Sequence, residues 1–163
     1  MYALGGATLR DAVVDFSRAR GPVVELGSKV GANANMMGEV PYIGIEESRE
    51  FVNEGRRRFD GVRSVTFYNE SPTDCRSVRD DEAEYLFSVF GVHDYDRASV
   101  EGIARECRRI LRRGSYGYFF IVNPEVYDSW KGDAALGFFR QLCDSPNKDN
   151  SVKLMTGSRR DSK

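Results

Sequence analysis

A set of acidic and amide side chains, together with a glycine-bearing turn, falls where alternating strands and helices would gather them at one end. Glu25-Leu26-Gly27-Ser28-Lys29-Val30-Gly31 follows the apolar pair Val23-Val24. Glycines at 27 and 31 let backbone come close to a nucleotide-like ligand, and an acid at the strand end accepts hydrogen bonds from it. Glu46-Glu47 closes the next apolar stretch, about twenty residues on, the spacing at which a carboxylate binds both hydroxyls of a ribose. Asn69 and Glu70 end a third stretch, and Ser88, Phe90, His93 and Asp94 follow the fourth. His93, the chain's only histidine, could serve as a general base near its ordinary pKa or be a loop histidine with ordinary hydrogen bonds. Asp94 beside it could orient a substrate amine.

Hydrophobic periodicity supplies the elements that must hold these groups. Thr8 to Arg18 spaces Leu9, Ala12, Val13 and Phe16 as a helix, ended by Gly21-Pro22. Strands are predicted at Val23–Leu26, Tyr42–Ile45, Val62–Tyr68, Tyr85–Phe90, Tyr116–Val122 and Ser151–Thr156. Ala32 to Gly38 could be a helix, although its two asparagines weaken it. Ser48 caps a helix with Phe51, Val52, Gly55 and Phe59 on one face. Ser99 caps another with Ile103, Cys107, Ile110 and Leu111 inward, stopped at Gly114. A further helix spans about Asp133 to Cys143. This alternation predicts a doubly wound, mostly parallel Rossmann-like α/β sheet of about six strands with helices on both faces. One domain over residues 1–157 is expected, with 158–163 a flexible tail.

Composition narrows the classes. A chain of 163 residues suits one domain with a full core. No apolar run approaches a bilayer span, and the first residues lack the basic and apolar regions of a secretory signal. Three scattered cysteines (Cys75, Cys107 and Cys143) and a single histidine argue against a metal site or a disulfide framework, and for a reducing, cytoplasmic setting. A net charge of −1 neither demands nor excludes a polyanionic partner. Arg105, Arg108, Arg109 and Arg112 could form a phosphate stripe, but a solvated face pairing with Glu101 and Glu106 is the plainer reading. The Arg56-Arg57-Arg58 run reads the same way. Tyr127 and Trp130 could wall a pocket or simply pack.

The spacing alone leaves the ligand open, since dinucleotide-binding proteins share it. The order of motifs is more specific, and it resembles the class I S-adenosylmethionine-dependent methyltransferases of the small-molecule type. Val23 to Gly31 is similar to that family's first motif, and Tyr42 to Ser48 to its second. Ala83 to Asp94 resembles its fourth-strand motif, and Ile103 to Ser115 its following helix and glycine turn; the likeness runs from about Val23 to Pro124. The resemblance implies S-adenosylmethionine as cofactor. Glu25, Gly27, Ser28, Lys29 and Gly31 would lie around its methionine end, and Glu46, with Glu47, at its ribose. Asn69 or Glu70 would lie near its adenine amine, and Ser88 and Phe90 would close the pocket. His93 and Asp94 would face an unidentified acceptor, with a small molecule favoured.

The chain departs from the family at Lys29, where glycine is usual. A positive φ would be disfavoured there, the side chain would crowd the cofactor, and its ammonium would lie near the cofactor's cationic sulfur. A rearranged loop, an anionic ligand, or loss of the cofactor would each account for it. The family's sheet also normally ends in two further strands, whereas only Ser151 to Thr156 remains here. An exposed edge there would offer a route to a dimer or a larger assembly. Two other functions stay open: a catalytically inactive methyltransferase-like binding or scaffold protein, and an RNA or cap methyltransferase suggested by the abundance of arginine.

Overall fold

The computed structural model describes residues 16–89, 95–121 and 151–156. Strands β1 (Val23–Leu26), β2 (Tyr42–Ile45), β3 (Val65–Tyr68), β4 (Ala83–Val89), β5 (Leu111–Ile121) and β6 (Ser151–Thr156) form one sheet in the order β3-β2-β1-β4-β5-β6. Every pairing is parallel. Helices α1 (Arg49–Arg58) and α2 (Arg97–Ile110) provide crossover connections, and a 3-10 turn spans Ala32–Met36.

Alternation along the strands divides the core into two layers. Val24, Leu26, Ile43, Ile45 and Leu86 face Ile103, Cys107 and Ile110 of α2, with Cys75 and Val78 of the β3–β4 connection. Val23, Tyr42, Phe67 and Phe87 face the other way, against Phe16, Ala34, Met37 and Val52 of α1. Both faces are covered, so the strands are apolar on both sides rather than half-polar. Phe16 closes its layer by stacking on Phe87 at 5.0 Å between ring centroids.

Local chemistry accounts for most boundaries and for the corrections to them. Ser48 caps α1 as expected, its Oγ accepting from Phe51 N at 3.4 Å. Phe51 itself is 41% exposed, so the buried stripe of α1 is Val52 and Gly55. The cap of α2 is Asp96, whose Oδ1 accepts from Ser99 N at 2.8 Å. Asp caps as well as Ser, and the earlier start satisfies an amide that would otherwise be orphaned. Helix α2 ends at Ile110, not at Gly114, and Leu111 and Arg112 belong to β5. Leu111 pairs with Ala83 and the next pair is Tyr85 with Tyr116, so the strand bulges between them. β3 begins at Val65, because turns closed by Val62 N to Phe59 O and Val65 N to Val62 O occupy the preceding residues.

Among the described residues no helix is long and apolar enough to cross a membrane. The helices expected at Thr8 to Arg18 (apart from its end at Phe16) and at Asp133 to Cys143 lie outside the described residues, as do Tyr127 and Trp130.

Candidate functional site

Strand order reverses at β1, which lies between β2 and β4, and in open parallel sheets such a point marks the ligand crevice at the carboxyl ends. The chain leaving β1 crosses the end of β2: Gly27 N and Ser28 N both donate to Ile45 O, at 2.9 and 3.1 Å. It then alternates through left-handed backbone, with φ +72° at Gly27, +49° at Lys29 and +76° at Gly31. Lys29 thus takes the positive φ that its side chain disfavours. Its Cβ costs about 1–2 kcal/mol in that region. At Gly31 a Cβ would meet the Phe67 ring at 2.3 Å, so no side chain fits there.

Glu46 stands beside this loop at the end of β2. Its Oε2 accepts from Lys29 N at 2.9 Å and its Oε1 from Ser48 N at 2.8 Å. The carboxylate is therefore held by one amide from each loop, and each oxygen keeps further lone-pair capacity. Glu47 accepts from the Tyr95 hydroxyl at 2.8 Å. Asn69 Nδ2 donates to the carbonyls of Glu46 and Glu47, at 3.0 and 2.7 Å, tying the exits of β2 and β3 together. Glu70 turns away to Ser77, accepting from its Oγ at 2.5 Å, and so braces its own loop. Ser88 is fully buried and donates to Leu26 O at 2.8 Å, stitching β4 to β1 rather than lining an opening.

Glu25 is 2% exposed, on the same sheet face as Tyr42. It accepts from the Tyr42 hydroxyl and from Asn33 Nδ2, the latter at 2.7 Å. Burial pushes its pKa up to about 8, against the lowering effect of both hydrogen bonds and of Lys29. Tyr42 is raised well above its ordinary value, first by its own burial and then by Glu25. Glu25 thus lies buried beneath the loop and not at its surface, where burial favours its neutral form. Ser28 Oγ lies beside Tyr42, buried and without a hydrogen bond of good geometry. Gly44 makes room for it, since a Cβ there would lie 2.6 Å from Ser28 Oγ.

The structure therefore gathers Glu25, Gly27, Ser28, Lys29, Gly31, Glu46, Glu47, Asn69 and Glu70 at one end of the sheet. Phe90, His93 and Asp94 lie outside the described residues. Tyr42 and Asn33 escaped the sequence reading. Period-two alternation puts Tyr42 on the face of Glu25, but its hydroxyl only matters once β1 and β2 are in register.

The Arg56–Arg58 run and Arg109 have local duties. Arg56 donates to Phe67 O at 2.7 Å, and Arg57 and Arg58 pair with Glu54. Arg109 binds Glu106, Asp80 and the carbonyls of Cys75 and Val78, fastening the β3–β4 connection to α2. Burial pushes the Cys75 thiol up to about 12 and that of Cys107 up as well, leaving both inert.

No protein-family model and no curated protein matches this sequence. Solved structures do. The YcgJ protein of Bacillus subtilis superposes with a TM-score of 0.63 at 17% identity, over 91% of this chain and 63% of its own. A methyltransferase dependent on S-adenosylmethionine from Aquifex aeolicus gives 0.57 at 17% identity, over 66% of this chain and 60% of its own. The fold is that of the S-adenosylmethionine-dependent methyltransferases. Geranyl diphosphate C-methyltransferase of Streptomyces coelicolor, solved with Mg2+, geranyl diphosphate and S-adenosylhomocysteine, shares that methyltransferase fold at a TM-score of 0.56 and 16% identity. It matches over 68% of this chain and 43% of its own. The chain thus spans less than two thirds of the length of each of these proteins.

Proposed function

We propose that this chain binds S-adenosylmethionine over the carboxyl ends of β1 and β2 and transfers its methyl group to an acceptor, with a small molecule favoured. One observation carries the reading: the Gly27–Gly31 loop keeps its alternating left-handed backbone at the strand-order switch, with the Glu46 carboxylate fixed beside it by two amides. The residues fit the group. Gly31 leaves a cradle that a Cβ would fill, and Glu46 presents the acceptor pair that a ribose diol needs.

Bound there, the cofactor supplies a methyl on a sulfonium leaving group. The chain's own part is binding and alignment, which can supply much of the acceleration of such a transfer. In this reading Glu46 holds the ribose hydroxyls, and Glu47 with Tyr95 holds the exit of β2 in place. Gly27, Ser28, Lys29 and Gly31 offer backbone to the methionine end. Glu25, through Tyr42 and Asn33, positions that loop from beneath. Asn69 borders the adenine, Phe90 completes the pocket, and His93 and Asp94 meet the acceptor and take its proton where one must leave.

Calorimetric titration with S-adenosylmethionine and S-adenosylhomocysteine tests the proposal. We expect saturable binding, weakened at least tenfold by Glu46→Ala, since truncating a ligand-bonded carboxylate costs about 1.5–3 kcal/mol. No heat and no thermal stabilisation with either ligand at millimolar concentration would sink the reading and leave a methyltransferase-like binding or scaffold protein.

A further inference from the structure

β3 is a terminal strand of the sheet, paired only with β2 among the described residues. Tyr42 N donates to Ser64 O and Glu46 N to Tyr68 O, so the backbone of Ser64, Thr66 and Tyr68 is turned toward β2. By alternation the N–H and C=O groups of Val65 and Phe67 point the other way, off the open edge. Two of these four groups are already taken. Val65 N closes a turn onto Val62 O at 3.1 Å. Phe67 O accepts twice from Arg56, from Nη2 at 2.7 Å and from Nε at 3.2 Å. That leaves Val65 only its carbonyl and Phe67 only its amide. The edge would otherwise invite a partner: it borders an open groove of about 620 Å3, where Val62 is 43% exposed beside Phe59 and Val65.

We infer that Arg56 guards this edge, keeping β3 from pairing with β3 of a second copy of the chain. Such a pairing would be two-fold symmetric and therefore antiparallel. In an antiparallel ladder each residue turned toward the partner exchanges both its N–H and its C=O with one residue opposite. Neither Val65 nor Phe67 can do so while Val62 and Arg56 hold one group of each. Phe67 is the residue that a side chain blocks, so it is the one a substitution can release. A symmetric pair centred on Phe67 would gain two hydrogen bonds, from Phe67 N to Phe67 O in each direction. The guard is electrostatic as well. No acid among the described residues pairs with the Arg56 guanidinium, and the symmetry would bring two such cations together. Arginine suits the task because its planar fork grips one carbonyl with two donors. The inference stands apart from the cofactor site and holds with or without catalysis.

Sedimentation velocity over a range of concentrations, combined with amide hydrogen exchange, tests this on the full chain. Arg56→Met keeps most of the apolar stem and removes the charge and the donors, and Arg56→Ala removes the stem too. Urea unfolding checks that each variant is folded. Two hydrogen bonds gained across the interface should strengthen self-association of both variants about thirtyfold over wild type. The Phe67 amide should exchange freely in wild type and become protected in the variants as concentration rises. Adding Val62→Lys to Arg56→Met, which restores a charge to the same groove, should return association to the wild-type level. Association equal to wild type in both variants would overturn the inference. So would stronger association that leaves the Phe67 amide unprotected, or a Phe67 amide already protected in dilute wild type. Loss of folding in both variants would make Arg56 a structural residue and overturn it as well.

Discussion

Replacing Glu25 by glutamine should remove one pH-dependent contribution to stability, so that the difference from wild type changes sign between pH 5 and pH 8. In the folded protein burial lifts the Glu25 pKa from 4.5 to about 8, so the native state holds a proton that the unfolded chain releases above pH 4.5. The sign follows from linkage: where the native state binds more protons, stability falls as pH rises. The contribution is whole below pH 4.5, declines across the window to pH 8, and is flat above it. Each pH unit inside the window is worth about 1.4 kcal/mol, so between pH 5 and pH 7 the wild type should lose roughly 2.5 kcal/mol from this group. Glutamine keeps the shape and still accepts from the Tyr42 hydroxyl, while Asn33 must turn its amide to accept from the new NH2. That adjustment costs about 1 kcal/mol at every pH. Glu25→Gln should therefore be slightly less stable than wild type at pH 5, and more stable by about 2 kcal/mol at pH 7 and about 3 kcal/mol at pH 8. Urea unfolding at pH 5, 6, 7 and 8 measures this, with the difference between the two proteins cancelling all other titrations. A difference that stays constant across that range would refute a neutral Glu25.

Two further outcomes probe the supports of the site. Gly44→Ala puts a Cβ 2.6 Å from Ser28 Oγ and 2.7 Å from the Phe67 ring, an overpacking worth about 2 kcal/mol in a urea midpoint; a loss below about 0.5 kcal/mol would show that both neighbours move freely. Arg109→Ala leaves the carbonyls of Cys75 and Val78 and the Glu106 carboxylate without their donor, costing about 2 kcal/mol. Hydrogen exchange should then quicken first in residues 70–82, and equal quickening in β1 and β2 would mean that Arg109 supports the whole sheet instead.

What could be read from the chain alone was local. Val23-Val24 running into glycine turns, and Tyr42 to Ile45 closed by acids, mark strands whose ends converge in any right-handed parallel winding. That sufficed to place Glu25, Lys29 and Glu46 at one end of the sheet. Cap choice at Asp96 over Ser99 was a contest between two good caps, and sequence offers no arbiter. Leu111 could end a helix or open a strand, and its pairing with Ala83 decided for the strand.

The state of the candidate site belonged to the tertiary structure. Lys29 looked incompatible with a positive φ because a residue's own sterics disfavour it. The fold imposes φ +49° because Gly27, Ser28 and Gly31 are anchored on either side and the Lys29 amide is bonded to Glu46. Glu25 read as a strand-end acid open to a ligand, because nothing in its neighbours along the chain tells how deeply it lies. Its burial comes from Tyr42 and Asn33, 17 and 8 residues away, and water excluded by packing is what holds its proton. Residue types and spacing located the loop; the packing around it set its charge.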